Sequence, residues 1–223
     1  MAGFAGFINY TYRRENTELV LKRMTDKLIR RGTDIEAYYD DRYTHIGYRS
    51  KQIQKIELKK RAMTLEKGED EYVIVFDGKL FNQEELVAFL KSSGVDTSLN
   101  EDEEIILNLY SELGEKFIEK LEGVFSFAIW NRKSKKLYMA RDTFGIKPLY
   151  YAQIGDNLVF ASEVKSILEF PEMQACITNY GIANMLLNGV IELEKKIFFR
   201  DIYELKARRV FKVWWKWNAN RKV

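Results

Sequence analysis

The chain has 223 residues, 46% hydrophobic and 14% aromatic, enough to bury a core in one or two domains. A formal charge of +3, from 36 basic and 33 acidic residues, makes no electrostatic case for a nucleic acid or a strongly acidic partner. Cys176 is the single cysteine, no apolar run approaches ~18 residues and no signal-peptide pattern opens the chain; this excludes a disulfide framework and sets the expectation of a soluble protein in a reducing, cytoplasmic setting.

Residues 2–9 read as an apolar strand with glycines at 3 and 6, placed unusually close to the start of the chain. A polar turn follows, then a helix capped by Asn16 or Thr17, with Val20, Leu21, Met24 and Leu28 on one face and Gly32 as its stop. Tyr38-Tyr39 and Tyr43 to Arg49 form an expected hairpin around Asp40-Asp41. The basic and polar stretch 51–70 reads as a solvated loop with room for one short strand. Glu71 to Phe76 is a buried strand, closed by Asp77-Gly78, and Asn82 with Glu85 makes a capping box for a helix ending at Gly94.

A second helix runs from about Asp102, presents Ile105, Ile106, Leu109, Tyr110 and Leu113, and stops at Gly114. Val124–Trp130 and Leu137–Arg141 read as a hairpin, and strands near 149–153 and 158–161 flank the turn Gly155-Asp156-Asn157. Short helices are expected at about 163–169 and 178–187. Strand, helix, strands, two helices and a run of strands is neither a βαβ alternation nor an all-β pattern. It predicts an α+β fold of antiparallel sheets with helices packed outside them.

Several motifs carry a resemblance. Arg141-Asp142-Thr143-Phe144-Gly145-Ile146-Lys147-Pro148-Leu149-Tyr150-Tyr151, followed by Phe160-Ala161-Ser162-Glu163-Val164-Lys165, is similar to the class II glutamine amidotransferase domain of asparagine synthetases. So is Gly123 to Trp130. Arg31-Gly32-Thr33-Asp34 resembles that family's Arg-Gly-Pro-Asp, and Phe76-Asp77-Gly78-Lys79-Leu80-Phe81-Asn82 its Phe-Asn-Gly-Glu-Ile-Tyr-Asn. The likeness covers roughly residues 2–205. It implies a four-layer αββα Ntn-hydrolase sandwich over residues 1–205, followed by a basic, Trp-rich C-terminal strand or tail over 206–223.

The same resemblance implies a chemistry and where it should sit. In the family a cysteine at position 2 attacks the glutamine amide while its free α-amine handles the proton. An asparagine side chain and the following glycine N–H stabilise the oxyanion. An arginine clamps the substrate carboxylate and an aspartate takes its ammonium. Here the nucleophile position is Ala2, whose methyl group cannot attack a carbonyl. The oxyanion position is Asp77-Gly78: Gly78 keeps its N–H, but a carboxylate at 77 repels a developing negative charge. Gap-free counting puts Ser50 in the clamp position and leaves Arg49 one residue off, on the opposite strand face unless a bulge intervenes. Asp102 retains the ammonium position. Three altered groups read as natural degeneration rather than a laboratory substitution of the nucleophile alone.

Other residues have plainer readings. His45 is the only histidine, so no two-His metal site exists and packing is expected. Cys176 reads as a buried apolar thiol, and Arg141-Asp142 as an ion pair holding a hairpin. No nucleotide-binding loop is present and no metal or other cofactor is expected; the ATP-using synthetase half of the family is expected to be absent. The final eighteen residues hold seven Lys or Arg and Trp214, Trp215 and Trp217, which suits a strand with a frayed end better than an RNA- or membrane-binding tail.

Three readings of function follow. The first is a non-catalytic amidotransferase-like domain, a scaffold or regulatory partner for a separate synthetase-type subunit or within a homodimer. The second is a glutaminase subunit supplying ammonia for amide synthesis, with Ala2 standing where the family has its cysteine. The third is a sensor in which Asp77 and Asp102 grip an amine-bearing small molecule.

Overall fold

A computed structural model describes residues 2–9, 17–51, 63–67, 70–95, 101–189 and 198–214. Two antiparallel sheets lie face to face. The first contains β1 (Ala2–Asn9), β2 (Ile35–Asp40), β3 (Thr44–Ser50), β8 (Tyr150–Ile154), β9 (Asn157–Ala161) and β10 (Ile202–Glu204), ordered β10-β8-β9-β1-β3-β2. The second contains β4 (Met63–Lys67), β5 (Asp70–Leu80), β6 (Gly123–Asn131), β7 (Lys136–Arg141) and β11 (Val210–Trp214), ordered β11-β7-β6-β5-β4.

Strand alternation sorts the apolar residues into three layers of core. Phe4, Ile8 and Ile46 of the first sheet meet Val73, Val75, Ala128 and Trp130 of the second. Ala5 and Phe7, on the other face of β1, pack beneath α1 (Thr17–Asp26) through Val20, Leu21 and Met24, and beneath α4 (Val164–Ile167) through Ile167. Ile74 and Phe76, on the other face of β5, are covered by Leu86 and Leu90 of α2 (Gln83–Ser92) and Ile105, Ile106 and Leu109 of α3 (Asp102–Leu113). The order is therefore helices, sheet, sheet, helices, an αββα sandwich in the α+β class. A 3-10 helix (Gly114–Lys120) continues from α3, and α5 (Asn179–Asn188) is capped by Thr178, whose Oγ1 accepts from Gly181 N at 2.9 Å.

Some local expectations are corrected. Asp77-Gly78 does not close the strand: β5 runs on to Leu80 in unbroken register with β6, Asp77 opposite Ser126 and Gly78 opposite Phe125. A Cβ on Gly78 would come within 2.3 Å of Val124 O, so the glycine serves close strand packing rather than a turn. The capping box of α2 does not form. Asn82 instead donates Nδ2 to Lys120 O at 2.9 Å and accepts from Glu122 N at 3.1 Å, stapling the start of α2 to the segment before β6. α1 ends at Asp26, and turns carry the chain on to Gly32.

Arg141 and Asp142 do not pair with each other. Arg141 donates to Glu204 Oε1, Leu205 O and Gly145 O, while Asp142 accepts the backbone N–H groups of Phe144, Ile146 and Lys147, each at 3.0 Å. Together they fix the 142–149 loop. Cys176 is half-buried rather than buried. His45 packs 4.7 Å from the Phe7 ring and contacts Asp40. The expected cap Asn16 with the polar turn before it, residues 52–62 of the expected loop, and residues 215–223 of the expected tail, including Trp215 and Trp217, lie outside the described residues. Met63–Lys67 supplies the short strand of that loop, and Val210–Trp214 is the edge strand of the second sheet.

Candidate functional site

A cavity of about 200 Å3 opens where the first residue of β1, the end of β3, the middle of β5 and the start of α3 converge. Ala2 lies opposite Ser50 in the β1–β3 ladder, so both side chains share the face turned towards the second sheet, as do Phe4 and Tyr48. β5 supplies Asp77 and Gly78 to the wall, α3 supplies Asp102 and Glu103, and the 142–149 loop supplies Lys147. Ala2, Ser50, Asp77, Gly78 and Asp102 are thus brought to one cavity. At about 200 Å3 it is smaller than the ~300–1,000 Å3 of drug-sized sites, which suits a small metabolite.

Arg49 is not among them. Both ladders of β3 run without a bulge through Arg49, which faces Gly3 on one side and Glu36 on the other. Its side chain therefore leaves the opposite face, where Nε donates to Thr25 O at 3.0 Å and Nη2 to Asp26 Oδ1 at 2.6 Å, with Glu36 Oε1 at 3.0 Å. Arg49 ties the end of α1 to the first sheet. Ser50 occupies the cavity wall in its place.

The chemistry of the wall centres on Asp77, which is 1% exposed. Its Oδ1 accepts the backbone N–H of Ala2 at 3.1 Å and Lys147 Nζ at 2.8 Å, and its Oδ2 accepts Arg31 Nη1 at 3.2 Å. Arg31 also donates Nε to Glu163 Oε1 at 2.6 Å and Nη1 to Ala2 O at 3.4 Å. A buried carboxylate is tolerated only when its lone pairs are met by charge and hydrogen bonds, and here both oxygens are satisfied. The network needs room. A Cβ on Gly3 would sit 2.6 Å from Arg31 Cδ, and one on Gly32 would sit 2.2 Å from Ser50 N.

Asp102 is likewise engaged. It opens α3, accepts Leu80 N at 3.2 Å and pairs with Lys79 Nζ at 3.1 Å. Because Leu80 N–H leaves β5 on the edge away from β6, the N–H of Gly78, two residues earlier, points to that same edge. A backbone donor therefore stands beside a carboxylate side chain that only accepts. Glu103 is half-buried beside Asp102. Desolvation raises its carboxyl to about 7, opposed by its own backbone N–H and by Lys79 and helped by the charges of Asp102 and Glu101. Burial also pushes the Tyr48 hydroxyl up, so it stays a neutral donor at physiological pH.

From sequence, Arg31, Lys79, Lys147 and Glu103 receive no individual role in the site. The available signal was charge: the stretch 76–82 carries an acid at 77 and a base at 79 where the family pattern has an amide and an acid. Each charge gained needs a partner, and a buried acid needs a cation. No group of three or more metal-ligating side chains occurs among the described residues, nor any helix long and apolar enough to cross a membrane.

The glutamine amidotransferase domain family matches residues 1–222 of this chain. Asparagine synthetase [glutamine-hydrolyzing] 3 of Bacillus subtilis is 28% identical over 98% of this chain, and asparagine synthetase [glutamine-hydrolyzing] 1 of the same organism is 35% identical over 75% of it. The matched regions are only 37% and 27% of those relatives' lengths. Among solved structures, glutamine phosphoribosylpyrophosphate amidotransferase from B. subtilis, complexed with ADP and GMP, superposes over 97% of this chain and 50% of its own, with a TM-score of 0.62 at 15% identity. That last likeness speaks for the fold alone.

Proposed function

This chain belongs to the glutamine amidotransferase domain family, and from that premise we propose that it is a member that keeps the framework without hydrolysing glutamine. In this reading it serves as a scaffold or regulatory domain for a synthetase-type partner. The observation that carries it is the Arg31–Asp77–Lys147 bridge beside the methyl group of Ala2. Attack on an amide needs a nucleophile and a donor aimed at the oxygen that becomes negative. Position 2 supplies no nucleophile, and position 77 supplies a negative charge already committed to two cations. Losing one oxyanion donor slows such chemistry by on the order of 100- to 1000-fold, and the missing nucleophile removes the covalent route altogether.

The partner is inferred from the relatives, asparagine synthetases of which this chain matches 37% and 27% of the length. A domain that folds around an intact sandwich but does no chemistry retains two faces and a cavity through which to act on such a partner. A cytoplasmic setting is part of the same proposal. Ammonia release from glutamine tests it: the purified protein should stay at the buffer background, and turnover at an ordinary glutaminase rate would overturn it.

A second reading is supported by Gly78 N–H and by the seating of residue 2 at the cavity, both of which a working glutaminase needs. It holds that a cysteine belongs at position 2. Ala2→Cys should then release ammonia, whereas under the first reading it stays inert because Asp77 and Ser50 remain.

A further inference from the structure

We propose that the cavity binds a small carboxylate anion that carries no ammonium group, because Lys79 already occupies Asp102 as a built-in cation. The inference rests on the reading that the cavity no longer processes glutamine, and it names what the cavity takes instead.

An amine or amino acid entering here needs a carboxylate to receive its positive charge. Both buried aspartates are engaged. Asp77 is held by Arg31 at 3.2 Å and Lys147 at 2.8 Å, and Asp102 by Lys79 at 3.1 Å with Leu80 N–H at 3.2 Å. An incoming ammonium on Asp102 would replace one ammonium by another, with no net gain of charge contacts. It must also compete with a lysine tethered by a short flexible stem, whose effective concentration is in the millimolar range. Lys79 is 61% exposed, so the pair is individually weak, but the competition is between like groups and the tethered one wins.

The groups left to face a ligand are donors and cations. Lys51 lines the cavity beside Ser50, and Lys147 reaches it from the 142–149 loop. Gly78 N–H points away from β6, and Tyr48 stays protonated. Glu103 is the remaining acid on this wall, and with its carboxyl raised to about 7 by desolvation it is largely uncharged only in mildly acid solution, where it can donate a hydrogen bond rather than repel an anion. Of the cations, Lys51 and Lys147 line the cavity; with Asp77 held by Arg31 and Lys147 and Asp102 by Lys79, the remaining potential favours a negative ligand. The small volume and the spread of donors across it suit a short dicarboxylate rather than a macromolecular segment.

Thermal shift and titration calorimetry on the full chain, with glutarate, glutamine, putrescine and inorganic phosphate as probes, test this. Glutarate is expected to bind saturably and to raise the melting temperature, with glutamine and putrescine inactive at equal concentration and phosphate weaker than glutarate. Lys51→Ala should weaken glutarate about tenfold, the effect of losing roughly one charge-assisted contact. Lys79→Gln should weaken glutarate and admit putrescine, since it frees Asp102. Lys51 is exposed, and Lys79→Gln keeps a side-chain amide donor beside Asp102, which also holds Leu80 N–H, so both variants should fold, as their melting curves report. No binding of glutarate, equal binding of putrescine by the unaltered protein, preference for phosphate, or a Lys79→Gln variant still blind to putrescine would each overturn the proposal. Ammonia measured in the glutamine samples separates the two ideas: ammonia release defeats the loss of hydrolysis, while silence in both assays defeats only the anion site.

Discussion

The backbone N–H of Ala2, on the first strand of one sheet, is donated across the sandwich to the carboxylate of Asp77 on the other, at 3.1 Å. This bond joins the two positions that the family resemblance assigns to the nucleophile and to the oxyanion donor. It also explains why Asp77 is tolerated 1% exposed: the carboxylate links the two sheets through Ala2, Arg31 and Lys147. The carboxylate is thus a structural tie between the sheets.

Asp77→Asn, though it restores the amide the family pattern has, is therefore expected to destabilise this protein. It leaves Arg31 and Lys147 facing a neutral group, and breaking a buried pair from one side costs on the order of 3–5 kcal/mol when fully desolvated. Since Arg31 and Lys147 retain 15% and 21% exposure, about 2–3 kcal/mol is expected. A fall in the urea midpoint at constant m-value checks it.

Glu103 makes stability depend on pH. Its folded-state pKa of about 7 lies above the 4.5 of an unperturbed glutamate, so the native state holds its proton longer than the unfolded chain does. The native state is thus favoured at low pH, and this contribution declines as pH rises from about 4.5 to about 7 and is flat beyond. Glu103→Gln should remove that slope and raise stability at pH 8 by on the order of 2 kcal/mol, with little change at pH 5. Melting curves of both proteins across that range would show parallel slopes if the expectation is wrong.

Gly32 turns its Cα hydrogen at Ser50, and an added Cβ would stand 2.2 Å from Ser50 N and 2.4 Å from its Cα. Backbone cannot rotate aside as a side chain does. Gly32→Ala should cost about 1–3 kcal/mol by overpacking. Because Ser50 pairs with Ala2, the displacement should also weaken whatever the cavity binds, which calorimetry on the variant would register.

Arg49 and Ser50 are neighbours with opposite duties. Arg49→Ala should destabilise by about 1–3 kcal/mol, the loss of charge-assisted bonds to Thr25, Asp26 and Glu36, without altering ligand binding. Ser50→Ala should leave stability within about 0.5 kcal/mol and change binding alone. A binding defect in Arg49→Ala with unchanged stability would reverse the assignment of faces.

The class of fold, and the places where chemistry would be sought, are legible in the chain without its coordinates. Apolar periodicity lays out β1, α1, the β2–β3 hairpin, α2 and α3, because period-2 and period-3.6 patterns report which face must leave water. The motifs around Arg31, Asp77 and Arg141 point to the family, and alternation along β3 separates Ser50 from Arg49. Who holds whom is a different matter, settled by the packing of the two sheets. Arg31 lies 46 positions from Asp77 and Lys147 lies 70 away, and nothing local in a chain encodes a pairing at that distance. Asn82 has the spacing of a capping box, yet its amide finds Lys120 and Glu122 instead. Asp77-Gly78 is a turn by local preference, yet β6 offers it a continuous ladder and the strand runs on. Local preferences amount to about 1 kcal/mol or less per residue, and a ladder or a buried charge network exceeds that wherever the fold supplies one.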